Sequence, residues 1–143
     1  MEKIDEIIFY TLEKSIKVYR KYAQNQILKN GYDITIDQWL VLKTMQENKN
    51  LSQNQIAELV FKDFASITRI IELLVKKKYV QRTIDNNDRR KFVLDITEEG
   101  NKIIEKIYPI VAENRKKALT DLNLEEINNL KTQLDKIINN CKN

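Results

Sequence analysis

Three consecutive cations, Arg89, Arg90 and Lys91, stand in the polar run "DNNDRRK", just ahead of the alternating stretch "FVLDI". Cations on a projecting loop neutralise phosphates, and an arginine held out from such a loop can enter a narrow minor groove, where negative potential is focused. They do not stand alone. From Lys62 to Lys91 nine cations face four anions, while the formal charge of the whole chain is only +4. Positive charge is therefore concentrated in one central segment, the footprint a polyanion would read. Histidine is absent, which removes the usual general base and the commonest transition-metal ligand. The carboxylate pairs Glu98/Glu99 and Glu125/Glu126 fall at helix starts, where they complement the helix dipole. No catalytic residue, no metal site and no cofactor is expected: the pattern describes a binding protein rather than an enzyme.

The elements that must position these cations follow from spacing. At 143 residues the chain is one domain's worth, and 42% hydrophobic with 32% charged residues is a folded, soluble composition. Two glycines and one proline supply too few tight turns for an all-β sandwich or barrel. Residues 3–29 carry apolar positions at helical spacing over about seven turns, longer than a small core needs. "NGYD" breaks that helix at Gly31, and a second starts near Thr35 with Trp39, Leu42 and Met45 inward. "SQNQ" fits a reciprocal cap between Ser52 and Gln55 and opens a short helix with Ile56, Leu59 and Val60 inward. Asp63 caps the next, whose apolar stripe is Ile67, Ile70/Ile71 and Leu74, and Lys76–Lys78 suit the negative end of its dipole.

The period then changes from helical to alternating in "YVQRTI" and "FVLDI", which places Phe92, Leu94 and Ile96 on one strand face. Thr97 caps a further helix through Ile103, Ile107 and Val111 to about Leu119, with Pro109 inside it as an expected kink. A last helix carries Ile127, Leu130, Leu134, Ile137 and Cys141, spaced 3, 4, 3, 4 as in a heptad seam. The fold class is mainly α (α+β).

Two short helices joined by a tight turn and followed by a hairpin form a winged helix-turn-helix pattern, in which the second helix enters the DNA major groove. Its leading residues here are "DFASITR", Asp63 to Arg69. Hairpin loops usually need two to five residues, whereas Asp85–Lys91 is seven. The extra length lets the turn project as a wing with Arg89 and Arg90 at its tip.

The run "TIDQWLVL…LSQNQIAELV…SITRIIELLVKKKYVQRTIDNNDRRKFVLDITEEG" resembles MarR-type transcriptional regulators over roughly residues 35 to 104. The D-x-R of Asp88–Arg90 followed by "VLDITEEG" is its most specific element. The resemblance implies a winged helix-turn-helix lobe over 34–97, with the helix-turn-helix at about 52–77 and the wing hairpin at 79–97. It implies that 1–30 and 98–143 interlace with a second copy as a dimerisation domain, and that the homodimer binds a pseudo-palindromic double-stranded operator. It further implies repression relieved by a small-molecule effector or an oxidant.

Carried over by position, Ser66, Thr68 and Arg69 fall on the recognition helix and Arg90 on the wing tip. Gln53, Asn54, Phe64, Lys76, Arg89 and Lys91 complete the expected DNA-binding set, and Asp88 orients Arg90 or Arg69 through a charge-assisted hydrogen bond.

Three positions depart from the family pattern. Lys78 and Phe61 stand where relatives often have glycine; either the backbone is left-handed there, at about 1–2 kcal/mol for a non-glycine residue, or the helix ends differently. Phe64 stands where a polar DNA-facing residue is common, and it meets a thymine methyl or packs against a neighbour. Tyr19, Tyr22, Trp39 and Tyr108 are the candidate lining of a ligand cleft, against the plainer reading of aromatics at helical spacing as core. Cys141 excludes an intrachain disulfide and reads as a structural thiol rather than a redox sensor. No stretch approaches the roughly 18 apolar residues of a membrane span, so no membrane contact and a cytoplasmic location are expected. The rival function is a winged helix used for protein–protein contact, with no DNA target.

Overall fold

The computed structural model describes residues 1–142. After a single 3-10 turn (Ile4–Glu6) come α1 (Ile8–Lys29), α2 (Ile36–Glu47), α3 (Gln53–Leu59), α4 (Phe64–Lys76), β1 (Val80–Ile84), β2 (Phe92–Ile96), α5 (Glu98–Ala118) and α6 (Leu124–Cys141). The strands pair antiparallel from Val80↔Ile96 to Ile84↔Phe92. The fold is a mainly helical winged helix-turn-helix, with α3 and α4 as the helix pair and β1–β2 as the wing.

Local chemistry starts the helices where side chains can satisfy orphan amides. Thr35 and Gln38 cap α2 reciprocally, and Ser52 and Gln55 do the same for α3. Asp63 accepts the Ser66 N–H at 2.7 Å to open α4, and Thr97 accepts the Gly100 N–H at 3.0 Å to open α5.

Three helices end in the same way, with a left-handed residue and a six-residue closure. In α1 Gly31 has φ 85° and the Tyr32 N–H reaches Ile27 O. In α3 Phe61 has φ 61° and the Lys62 N–H reaches Ala57 O at 2.9 Å; in α4 Lys78 has φ 67° and the Tyr79 N–H reaches Leu74 O at 3.0 Å. Of the two readings open at Phe61 and Lys78, the left-handed one holds at both: these side chains sit where glycine is favoured.

The core joins the end of α1 to α2, the helix pair, the hairpin and α5, around Ile27, Leu42, Ile56, Ile67, Leu74 and Ile107, all nearly inaccessible. One inward assignment needs correction, and two further apolar positions are covered less than their neighbours. Leu59 is 50% exposed, because it ends a helix of only seven residues and its side chain clears the core edge. Phe92 shares the face of buried Leu94 but is 61% exposed, because it begins β2 at the loop end of the hairpin, beyond the helices. On α5 it is Ile104 that is buried, while Ile103 packs at the core's margin, a rotation of one position. The helix runs unbroken through Pro109.

The first half of α1 and all of α6 lie outside this core. Ile4, Ile8 and Ile16 are each more than half exposed, and α6 buries no residue; its seam positions Ile127, Leu134 and Ile137 are half-covered and Leu130 is exposed. No helix of the described residues is long and apolar enough to cross a membrane.

Candidate nucleic-acid interface

The N-terminus of α4 is held from both sides. Asp63, fully exposed, has its carboxyl held below the usual carboxylate range, first by the Ser66 backbone N–H and then by the Ser66 side chain. Thr68 donates to Phe64 O at 2.9 Å and accepts from Gln53 Nε2 at 2.6 Å, so the first turn of α3 is tied to the second turn of α4. The structure thus joins Gln53 and Thr68 to each other. Ser66 is half-buried, whereas Asn54, Phe64, Arg69 and Lys76 are exposed. Arg69 forms no ion pair among the described residues.

At the other end of α4, Lys77 is not free. Its Nζ donates to Asp33 O and, at 3.2 Å, to Gln38 Oε1, pinning the helix to the start of α2.

The wing loop spans the seven residues between Ile84 and Phe92 and is ordered by its own backbone. The Asp85 N–H reaches Lys91 O, the Lys91 N–H reaches Asp88 O, both at 3.0 Å, and the Asn87 N–H reaches Asp85 Oδ1 at 2.8 Å. Asp88 Oδ1 accepts from Arg90 twice, from the backbone N–H at 3.0 Å and from Nε at 3.3 Å. Of the two partners considered for Asp88, the structure places it on Arg90. The Arg90 side chain is itself 92% exposed: its root is fixed and its guanidinium head is presented to solvent. Arg89 and Lys91 are also exposed.

The root of the wing is anchored elsewhere. The Arg82 guanidinium lies 5.4 Å from the Phe92 ring centroid. Thr97 donates its N–H to Tyr79 O at 3.0 Å and its hydroxyl to Lys78 O at 2.7 Å.

The aromatic candidates divide. Tyr19 and Trp39 line a cavity of about 200 Å³ between α1, α2 and α5, with Arg20, Asn114 and Arg115. Tyr22 and Tyr19 line a more open groove with Lys14, Val18 and Lys117. Tyr108 lines neither and is 55% exposed. In the cavity wall Trp39 is buried, its Nε1 has no hydrogen-bond partner among the described residues, and Arg115 stacks 5.9 Å from its ring. Asn114 is 3% exposed, and among the described residues its side chain makes one long bond, 3.5 Å to Ala23 O.

Arg20, Asn114 and Arg115 were not singled out from the sequence. Asn114 was findable, because it continues the Ile104–Ile107–Val111 spacing as a polar residue on an apolar stripe.

Beside the cavity sits an ion-pair node. Asp37, at the start of α2, pairs through Oδ1 with Arg20 of α1 and through Oδ2, at 3.1 Å, with Lys62. Lys62 directly precedes the α4 cap, so one carboxylate connects α1 to the turn before the recognition helix. Partial burial pushes the Asp37 carboxyl up, but the hydrogen bonds from Lys62 and Arg20 and their positive charge outweigh it and hold it below the usual range. Cys141 is exposed, and no cluster of metal-ligating side chains occurs among the described residues.

Comparison with known proteins gives a consistent picture. The family model described as transcriptional regulator SarA/Rot matches residues 23–107. The HTH-type transcriptional regulator SarZ of Staphylococcus aureus (strain USA300) is 30% identical over 137 residues, covering 95% of this chain and 82% of that protein. A probable transcriptional regulator from Pseudomonas aeruginosa superposes with TM-score 0.84 at 27% identity, over 94% of this chain and 99% of that one. The S. aureus MepR–DNA complex superposes with TM-score 0.80 at 22% identity, over 96% and 99% of the two chains.

Proposed function

Since this chain belongs to the SarA/Rot family of transcriptional regulators, and is a DNA-binding regulator of the MarR-type winged-helix kind, we propose that it acts in the cytoplasm as a homodimeric repressor released by a small ligand. The observation that carries the DNA geometry is Arg90: a 92% exposed guanidinium on a root that Asp88 fixes, at the tip of the seven-residue wing loop. Holding the root in place lowers the entropy lost when the head enters a minor groove. With α4 in a major groove, exposed Arg69 reaches base edges or phosphates beside Phe64, and Asn54, Lys76, Arg89 and Lys91 reach the backbone. Two such units about a twofold axis call for a pseudo-palindromic operator with half-sites roughly 10 bp apart.

The dimer rests on apolar surface left bare in one chain. Ile4, Ile8 and Ile16 at one end of the chain, and Leu124, Leu130 and Ile138 of α6 at the other, are exposed, and a second copy would cover them. The effector reading rests on the cavity at Trp39, a largely apolar space lined by the buried indole and Asn114 and flanked by two arginines. A ligand that draws Arg20 off Asp37 would loosen Lys62 and, with it, the start of α4. Release requires that the ligand bind the DNA-incompetent arrangement more tightly than the competent one.

The test is salt-dependent binding to the duplex upstream of the protein's own gene, against a scrambled duplex. Arg90→Ala is expected to weaken specific binding by about 1–3 kcal/mol and, with two wings, to make the log–log salt slope shallower by about 2, with fold and dimer intact. Unchanged affinity in that variant would remove the wing assignment. Retention of neither duplex at low salt would remove the DNA reading itself.

A further inference from the structure

The outward face of the first two turns of α4 is short of hydrogen-bonding groups. Phe64 is 57% exposed and Ala65 is exposed beside it. The Thr68 hydroxyl, one turn on, already gives its proton to Phe64 O and takes one from Gln53; it keeps a single lone pair. Ser66 is half-buried behind the cap it donates to through its backbone. Arg69 is the one charged side chain on these turns, and it forms no ion pair among the described residues.

A helix whose leading edge enters a major groove with a bare aromatic ring can gain from one feature of the base edges above all. The exposed apolar group there is the thymine 5-methyl; the other features at those edges are hydrogen-bond donors and acceptors. The surrounding segment is strongly cationic, which fits a polyanion as the occupant of this face and argues against an apolar protein surface.

We propose that Phe64 is a specificity-determining residue that reads thymine methyl groups in each half-site, with Ala65 leaving room for the contact. The proposal rests on the reading of α4 as recognition helix. Gln53 donates one of its amide hydrogens to Thr68, which holds the start of α3 against this part of α4. Removing a methyl from the correct thymine takes away one buried carbon, about 0.8 kcal/mol, or about fourfold in affinity per half-site and about fifteenfold for both.

The experiment selects duplexes from a random pool with the full chain, then replaces each half-site thymine in turn by deoxyuridine, which removes the methyl alone. The wild type is expected to lose about fourfold per half-site at one or two thymine positions. Phe64→Ala should bind the parent duplex more weakly and be indifferent to the replacement, while Phe64→Leu keeps most of the sensitivity. The salt slope should be the same for all three proteins, because no phosphate contact is involved. Phe64 is exposed at the first position of its helix, so neither variant threatens the core. Indifference of the wild type to deoxyuridine, or full methyl sensitivity in Phe64→Ala, overturns the proposal. Failure to retain any duplex overturns the recognition-helix reading beneath it.

Discussion

Gly100→Ala tests how the wing is held to the rest of the molecule. A Cβ at Gly100 would lie 2.3 Å from Tyr79 O and 2.7 Å from Ile96 Cγ1, against ordinary contact from 3.4 Å. The Ile96 side chain can turn, but the Tyr79 carbonyl belongs to the backbone and is fixed by the Thr97 N–H at 3.0 Å. Making room for the methyl means moving β1's entry away from α5 by about an ångström. That strains or breaks the Thr97 bonds to Tyr79 O and Lys78 O, at about 1 kcal/mol each. Overpacking adds about 1–3 kcal/mol, and the better helix propensity of alanine returns about 1. The expected net loss is about 2–4 kcal/mol.

Urea unfolding at one protein concentration should show it as a midpoint lower by roughly 1–2 M at an m-value of about 2 kcal/mol/M. Gly31→Ala is the control. Nothing lies within 4 Å of a Cβ there and only its φ of 85° opposes a side chain, so it should cost about 1 kcal/mol. If Gly100→Ala unfolds at the wild-type midpoint, or only as much earlier as Gly31→Ala, the close approach of Tyr79 to α5 is not what holds the wing root.

Lys78→Gly should stabilise. Relief of left-handed strain is worth about 1–2 kcal/mol, and the freer unfolded chain takes back about 0.4–1, leaving a gain of about 0.5–1 kcal/mol and a Tm higher by about 2 °C; a fall in Tm would contradict the α4 terminus described. Asp37→Asn should destabilise at pH 7 by about 1 kcal/mol, a charged hydrogen-bond value reduced for partial exposure. Because the Asp37 carboxyl titrates below its unfolded value, the carboxylate's contribution is fully present above about pH 4 and is lost as pH falls through the folded pKa. The gap between wild type and variant should therefore close in acid, and a gap that persists unchanged in urea midpoints at pH 3 would exclude the Arg20–Asp37–Lys62 node as its source.

What was legible in the chain alone is what a few neighbouring residues decide. A cap closes over three residues, so Ser52/Gln55, Asp63 and Thr97 declared three helix starts, and a seven-residue polar stretch between alternating runs declared a wing. Concentrated charge and the D-x-R stretch then pointed to DNA, and Asp88 does lie on Arg90, two residues away.

What the sequence left open depends on how far elements extend and how they rotate against one another. Leu59 and Phe92 follow the periodicity of their elements, yet each lies past the edge of the body that would cover it. The rotation of α5 that buries Ile104 in place of Ile103 is set by packing on α1 and α2, as is the cavity that gathers Trp39, Asn114 and Arg115 from two helices. The Asp37 node joins residues 17 and 25 positions away, and the Gln53–Thr68 bond spans two helices. Local hydrogen bonds are determined by a backbone conformation that the sequence specifies within a turn. Contacts across the fold are determined by the crossing of whole helices, which is settled only when every apolar stripe finds its partner at once.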